Sequence, residues 1–458
     1  MYKIDFSKPM HVHFIGIGGI SMSGLAEILL DWKFVVSGSD MRESDVTNGL
    51  TAKGIHISYP QSAENITDDI DVVVYTAAIH PENPEFKAAV SKHLPMLTRA
   101  DLLGQIMAQY ERSIAVAGTH GKTTTTSMMS QVLLRGQEDP TISIGGFLKA
   151  IGSNIHVGDS DLFLTEACEY TNSFLSFFPK YSIILNVEAE HLDFFKDIDD
   201  IRDSFHQFAA NTSSDGALVI NGEIPEVNTI TEGLDCQVIT FGRSESYDYY
   251  PTDITFDELG CATFTPVAFG ETLGPITLHV PGLHNVTNAL SVVAVARAMG
   301  LSYEQIQLGL ADFGGANRRF EYKGTFKGAT IIDDYAHHPT EIAASLAAAK
   351  NYPHDRLVVC FQPHTYTRTL AFLDDFAKVL SQADQVVLAD IYAAREKDIY
   401  NISSRDLQAK ILELGTPCEY FSSFDDIEEY LKENSMNGDL LITMGAGNVY
   451  TIGENLLK

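Results

Sequence analysis

Two glycine-rich loops constrain this chain more than any other feature. Gly16-Ile17-Gly18-Gly19-Ile20-Ser21-Met22-Ser23-Gly24 follows the apolar run HVHFIGI, and Gly118-Thr119-His120-Gly121-Lys122-Thr123 follows SIAVAG. Each loop opens a helical pattern, Ser21 to Trp32 in the first case and the Thr-rich stretch from Thr123 in the second. A buried strand that turns through glycines into a helix is the start of a parallel α/β unit. FVVSGSD and DVVVYTAA add strands after the first loop, with NPEFKAAVSKHL as a helix and Arg99 to Glu111 as a connecting helix. DLFLTEA and SIILNVEA add strands after the second.

Residues 215–280 change character. Short Val, Ile, Thr, Phe and Tyr runs alternate with Gly, Asp, Ser and Pro, which reads as a β-rich portion without a long helix. His284 to Met299 and Tyr303 to Phe313 return to a helical pattern, and Gly314, Gly315 and Asn317 mark a boundary. ATIIDDY, RLVVCFQ, QVVLADI and LLITMGAG then read as strands of a third α/β unit, with helices after Pro339 and from Tyr366. The expected architecture is α/β, with three domains over residues 1–110, 111–320 and 321–458, each built on a mainly parallel sheet. The 458-residue length agrees with that number of domains.

The first loop suits a pyrophosphate. Glycines let the backbone pass close to the anion, and the helix N-terminus supplies oriented N–H donors. Asp40 ends the second strand 22 residues after Gly18, where such a unit places its ribose-binding acid. Ser21 occupies the third glycine position of G-x-G-x-x-G. That counts against a nicotinamide-dependent oxidoreductase and keeps a nucleotide-diphosphate reading.

The second loop suits a triphosphate. The Lys122 ammonium can reach the β- and γ-phosphates, the loop N–H groups can cradle them, and the Thr123 hydroxyl can hold Mg²⁺. Val116 stands five residues before Gly121, so the loop is a G-x-x-G-K-T variant of the standard form. Glu166 ends DLFLTEA, Glu169 follows it, and His191 lies after SIILNVEA in E-A-E-H-L-D. Strand ends of an open α/β sheet face one crevice, so Thr123, Glu166 and His191 are expected to converge on metal and phosphate. No N-K-x-D tetrad supports guanine recognition.

Charge bears on partners. With 31 Lys+Arg against 61 Asp+Glu the net charge is −30, which excludes a general binder of nucleic acid or anionic membranes. The five cysteines are scattered and odd in number, so neither a disulfide framework nor a Cys-rich zinc site is expected. No apolar run has the length of a membrane span, and the first residues lack a basic lead followed by an apolar signal core, so a cytoplasmic location is expected.

GIGGISMSGLAEIL, GTHGKTTTT, EACEYTNSFL, NVEAEHLD, PGLHNVTNAL, NRRFE, DDYAHHPTE and FQPHTYTRT, in that order, resemble the motif series of the Mur amino-acid ligases. The resemblance runs from residue 11 to about 450. It implies a Rossmann-like N-terminal domain for a UDP-sugar, a central P-loop ATP-binding domain with the β-rich portion, and a Rossmann-like C-terminal domain for the amino acid. It also implies the chemistry: ATP phosphorylates the carboxylate of UDP-N-acetylmuramate, and the amine of L-alanine attacks the acyl phosphate. A sister activity, attachment of a recycled murein tripeptide to the same sugar nucleotide, is the alternative. A non-enzymatic phosphate-switch or scaffold protein is a third reading, and it predicts no amino-acid-dependent phosphate release.

Carried over by motif position, Gly118, Thr119, His120, Gly121, Lys122, Thr123 and Thr124 hold the phosphates of ATP, and Thr123, Glu166 and His191 are the Mg²⁺ set. His284, Asn285 and Asn288 resemble the adenine site, and Arg319 and Asp334 the γ-phosphate and ribose contacts. Tyr335, His337 and Arg368 are candidates for the amino acid and acyl phosphate, with His337 or His338 as the base that takes the amine proton. Gly16, Gly18, Gly19, Ser21, Met22 and Asp40 meet the UDP-sugar. Lys122, His191, His337 and Arg368 form the expected catalytic group. The implied partners are small molecules, with the chain a monomer or weak homodimer.

Three departures from the pattern matter. Cys168 stands where many relatives carry Asp, and Thr365 where some carry Arg. Some sister ligases use a carbamoylated lysine after the histidine strand, but Lys196 is too close to His191 and residues 202–210 contain no Lys, so no such modification is expected.

Overall fold

The structure is a computed structural model and describes residues 2–76, 78–192, 194–394 and 396–458. Ala77 of DVVVYTAA and Asp193 of NVEAEHLD therefore lie outside the described residues. The chain forms two compact units: Met1–Tyr250 with Leu290–Gly309, and Pro251–Ala289 with Leu310–Lys458.

The first unit contains two sheets. The N-terminal one has five parallel strands in the order His56–Ser58, Val35–Ser39, His11–Ile15, Val72–Tyr75, Met96–Thr98. Its central strand is buried on both faces, which is why HVHFI reads as one apolar run rather than an alternation. Polar caps start its helices: Ser44 and Thr47 form a capping box at Asp45–Ala52, and Asn83 caps Pro84–Ser91.

The second sheet runs Gln237–Phe241, Ala217–Asn221, Tyr181–Ile184, Arg112–Ala117, Leu162–Ala167, Thr141–Leu148, Ser153–His156. All neighbours on that path are parallel except the last pair, which is antiparallel. Arg112–Ala117 thus carries the phosphate loop from the middle of the sheet, between the strands that lead to Asn186 and to Glu166. One core joins the two sheets, from Val12, Phe14 and Leu29 through Leu102 and Ile106 to Phe163 and Phe174. Contact between them is close: Asn154 Nδ2 donates to the Ile20 carbonyl at 2.9 Å, and the Tyr110 hydroxyl meets Thr141 Oγ1 at 3.0 Å.

The second unit holds a six-stranded sheet in the order Glu321–Phe326, Ala329–Asp334, Asp439–Met444, Arg356–Phe361, Gln385–Leu388, Cys418–Tyr420. Only its first pair is antiparallel. Its residues 251–289 supply antiparallel strands Cys261–Ala268 and Ile276–Pro281. Three sheets, mainly parallel, thus match the fold class expected from the sequence. Among the described residues no helix is long and apolar enough to cross a membrane.

One difference from the sequence reading matters at the site. SIILNVEA is a strand only over Tyr181–Ile184, so the residues from Leu185 to His191 are loop. The strand Thr141–Leu148 carries Gly145-Gly146.

Two helical glycines should respond oppositely to alanine. A methyl at Gly104 in Arg99–Met107 would overlap the Ser176 carbonyl oxygen, whereas nothing lies within 4 Å of one at Gly49. Gly104→Ala is expected to destabilise by about 1–3 kcal/mol and Gly49→Ala to stabilise by about 0.5–1 kcal/mol, read as opposite shifts of the thermal transition.

Candidate functional site

The phosphate loop is shaped before any ligand arrives. Gly121 adopts φ +85°, a left-handed conformation, and is the N-cap of helix Lys122–Arg135. Asn186, from the end of the neighbouring strand, clasps the loop: Oδ1 accepts from the His120 N–H at 2.7 Å, and Nδ2 donates to the His120 carbonyl at 3.0 Å. Thr119 is buried and its Oγ1 accepts from the Glu188 N–H at 2.9 Å. Thr123 and Thr124 stand half-buried in the first helical turn.

Lys122 is held inside this loop. Its ammonium donates to the carbonyls of Gly118 and Thr119 and to both oxygens of Glu169, the nearer at 3.0 Å. Glu169 is only 3% exposed. Burial alone would lower the lysine, but Glu169, with Glu190 beyond it, raises it above its ordinary value. His191 approaches the same carboxylate, Nε2 to Oε1 at 3.7 Å, and packs on the Tyr170 ring at 4.6 Å.

Thr123 and Glu166 meet over Gly145-Gly146. Glu166 Oε1 accepts the Gly145 N–H at 2.8 Å. A Cβ at Gly145 would reach within 3.0 Å of Glu166 Oε2, and one at Gly146 within 3.2 Å of the Thr123 methyl. Gly145 therefore keeps space open beside the Glu166 carboxylate, and Gly146 beside the Thr123 side chain. Burial and Glu169 push the Cys168 thiol up, so it stays protonated.

A cleft of about 670 Å³ opens over the first glycine loop, lined by Gly16, Gly18, Gly19, Asp40, Arg42 and His80 among others. Asp40 Oδ2 accepts the Gly18 N–H at 2.8 Å and Oδ1 the Met41 N–H at 2.7 Å, so the acid shapes the loop as well as lining the cleft. Met22 is 1% exposed and belongs to the core, so it does not line the cleft. Ser21 does not crowd the helix against its neighbour; its hydroxyl accepts from Arg99 at 3.1 Å, and Gly24 makes the tight approach to Ile155.

The second unit gathers another set. Asn285 Nδ2 donates to the Pro281 carbonyl at 2.8 Å and its Oδ1 accepts from Asn288 at 3.2 Å, while His284 is exposed at the start of the same helix. The two arginines of NRRFE differ. Arg318 is committed to the fold, donating to Asp333 at 3.0 Å and the Gly445 carbonyl at 2.7 Å and lying between the Tyr335 and Tyr450 rings. Arg319 lies over Tyr335 at 5.2 Å and 3.7 Å from Glu341. Asp334 is buried, and burial pushes its carboxyl up to about 6 against the Ser345 hydroxyl at 2.6 Å and Arg319.

Tyr335, His337 and Arg368 come together. The His337 ring meets Tyr335 at 5.3 Å and His364 at 5.8 Å, and Arg368 contacts His364 Nδ1 at 3.0 Å. Thr365 caps the helix Tyr366–Ala371 through the Arg368 N–H, with φ +64°. A threonine there closes the helix rather than adding a second cation. Lys196 pairs with Asp197 at 3.4 Å and is 86% exposed, remote from any role as a buried modified lysine.

Comparison with known proteins bears on all three segments. Residues 11–111 match the model described as Mur ligase family, catalytic domain, residues 116–296 the Mur ligase middle domain, and residues 318–447 the Mur ligase, glutamate ligase domain. A UDP-N-acetylmuramate–L-alanine ligase of Agathobacter rectalis is 64% identical over 458 residues, covering 100% of both chains. The chain belongs to the Mur ligase family. A UDP-N-acetylmuramate–L-alanine ligase of Lachnospira eligens is 59% identical over the full length of both. Among solved structures, UDP-N-acetylmuramate-alanine ligase from Thermotoga maritima matches this Mur ligase with TM-score 0.82 at 29% identity over 98% of each chain. A murein peptide ligase from Psychrobacter arcticus matches with TM-score 0.71 at 25% identity, also over 98% of each.

Sequence reasoning missed Asn186 and the part played by Glu169 in this Mur ligase. Asn186 sits in NVEAEHLD next to the strand end that should have drawn notice, and Glu169 stands three residues beyond Glu166. Lys122→Ala should lower turnover by about 10²–10³-fold. It should also cost about 3–5 kcal/mol of stability, because Glu169 is left buried without its ammonium partner. Adding Glu169→Gln should recover much of that stability but not the turnover, and sugar-nucleotide binding should survive in both. Denaturation curves and a binding titration check this; a Lys122→Ala protein as stable as its parent would contradict it.

Proposed function

We infer that the chain joins L-alanine to the carboxylate of UDP-N-acetylmuramate with cleavage of ATP to ADP and phosphate, a step of peptidoglycan precursor synthesis. The observation that carries this is the 64% identity, end to end, with the alanine ligase of Agathobacter rectalis. The greater structural similarity to the alanine ligase of Thermotoga maritima than to the murein peptide ligase favours alanine over a tripeptide. The matched segments 11–111, 116–296 and 318–447 support a division of labour near residues 110 and 320.

The residues assign themselves to steps by chemistry. The sugar nucleotide takes the cleft over Gly16, Gly18 and Gly19, with the amides of that loop and Asp40 around the UDP part. ATP phosphates take the Gly118–Thr124 loop, and Lys122 exchanges Glu169 for phosphate oxygens. A carboxylate oxygen of the sugar attacks the γ-phosphorus, the bond to ADP breaks, and an acyl phosphate forms. The alanine amine then attacks the acyl carbon, and the carbon–oxygen bond to phosphate breaks. His284, Asn285 and Asn288 suit the adenine, Arg319 and Asp334 the phosphate and ribose, and Tyr335 and Arg368 the amino acid.

The Glu166 carboxylate and the Thr123 hydroxyl, on side chains that Gly145 and Gly146 leave uncrowded, suit a hard cation, so Thr123 and Glu166, with His191, would hold Mg²⁺. When bound, Mg²⁺ neutralises charge on the transferring phosphoryl group.

The two adjacent histidines divide by tautomer. His338 Nδ1 accepts the Thr340 N–H at 3.4 Å as the cap of helix Pro339–Ala349, so its lone pair there is occupied. His337 Nδ1 lies 3.0 Å from the Tyr335 carbonyl and 3.1 Å from Glu341, which places its proton on Nδ1 and its lone pair on Nε2. His337 is therefore the better base for the amine proton.

Phosphate release from ATP in the presence of UDP-N-acetylmuramate is expected to depend on L-alanine and not on the murein tripeptide. Release without an amino acid, or with the tripeptide in preference, would overturn the reading.

A further inference from the structure

We propose that Arg99 is the receptor for the carboxylate of the sugar nucleotide, holding it between the two glycine loops. The inference rests on the reading above that a carboxylate-bearing UDP-sugar is the substrate, and it assigns a residue that none of the motifs singled out.

Arg99 is a cation in an unfavourable place. It is the first residue of helix Arg99–Met107, where the helix dipole disfavours positive charge, and it is half-buried. Burial lowers its guanidinium from the ordinary value. Among the described residues its hydrogen-bond partner is the Ser21 hydroxyl at 3.1 Å, and no carboxylate lies within ion-pair distance. The acid nearest in sequence, Asp101, is turned to the Thr98 N–H at 3.0 Å and the Ser176 hydroxyl at 3.1 Å. A guanidinium has five donors, so most of its capacity is left for an anion.

Its surroundings say which anion. Ser21 stands in the first turn of helix Ile20–Asp31, directly after the loop that lines the 670 Å³ cleft. Ile20 beside it is bonded through its carbonyl to Asn154, on the strand paired with the one that carries Gly145-Gly146. Those glycines flank Glu166 and Thr123. On the other side, Cys168 neighbours both Arg99 and Lys122. Arg99 thus lies between the sugar-nucleotide loop and the γ-phosphate lysine. The carboxylate is the part of the sugar nucleotide that must reach that phosphate. The diphosphate is the competing anion, and it has the glycine-loop amides already.

Binding of UDP-N-acetylmuramate and of UDP-N-acetylglucosamine, which lacks the carboxylate, should be measured calorimetrically for the parent, Arg99→Ala and Arg99→Lys. The proposal expects Arg99→Ala to weaken the first by at least about tenfold and to leave the second within about twofold. Arg99→Lys should recover part of the loss. Unchanged binding of the second nucleotide also reports that the variants are folded. Equal weakening of both nucleotides, which would assign Arg99 to the diphosphate, or no weakening of either, overturns the proposal alone. Failure of the parent to bind UDP-N-acetylmuramate would overturn the substrate reading and the proposal with it.

Discussion

The buried contact between Lys122 and Glu169 underlies the rest of the site. A lysine ammonium cannot be kept inside a protein without an anion, and here Glu169 supplies it at 3.0 Å. The same carboxylate draws His191 to 3.7 Å, so one acid sets the positions of two cationic or proton-carrying groups. The arrangement keeps the loop folded around its lysine and gives phosphate oxygens something to displace. A chain with net charge −30 binds two nucleotides because positive potential is concentrated at such points. Loop amides, helix N-termini, Lys122 and Arg99 supply it.

The sheet of the first unit explains why those groups converge. Arg112–Ala117 lies between Tyr181–Ile184 and Leu162–Ala167, all parallel, so three carboxyl ends open on one side. Asn186 then bridges from one end to the loop on the next, and Glu166 reaches across to Gly145. The N-terminal sheet repeats the device with a different economy: its acid, Asp40, bonds the Gly18 amide within the loop itself.

Much of this was legible in the residues. The strand–glycine–helix sequence is a local signal, and it located both loops, Lys122, Thr123 and Glu166 correctly with respect to the strands that carry them. What was not legible depends on pairing across the chain. Gly145-Gly146 has no side chains to show a strand pattern, yet its strand pairs with Leu162–Ala167. NRRFE does not tell Arg318 from Arg319; only the Asp333 and Gly445 contacts do. His337 and His338 are equivalent by residue type, and the Thr340 cap separates them. Arg99 drew no notice because a cation without an acid is visible only once the surroundings are known.

The account depends on a carboxylate oxygen of the sugar nucleotide attacking the γ-phosphorus at the phosphate loop. That oxygen must leave with the phosphate when the amine attacks the acyl carbon. The direct measurement is turnover with UDP-N-acetylmuramate labelled with ¹⁸O in its carboxylate, followed by mass analysis of the released inorganic phosphate. The account predicts one ¹⁸O atom carried into each phosphate in every turnover. Phosphate free of the label, with amide product formed, would contradict it.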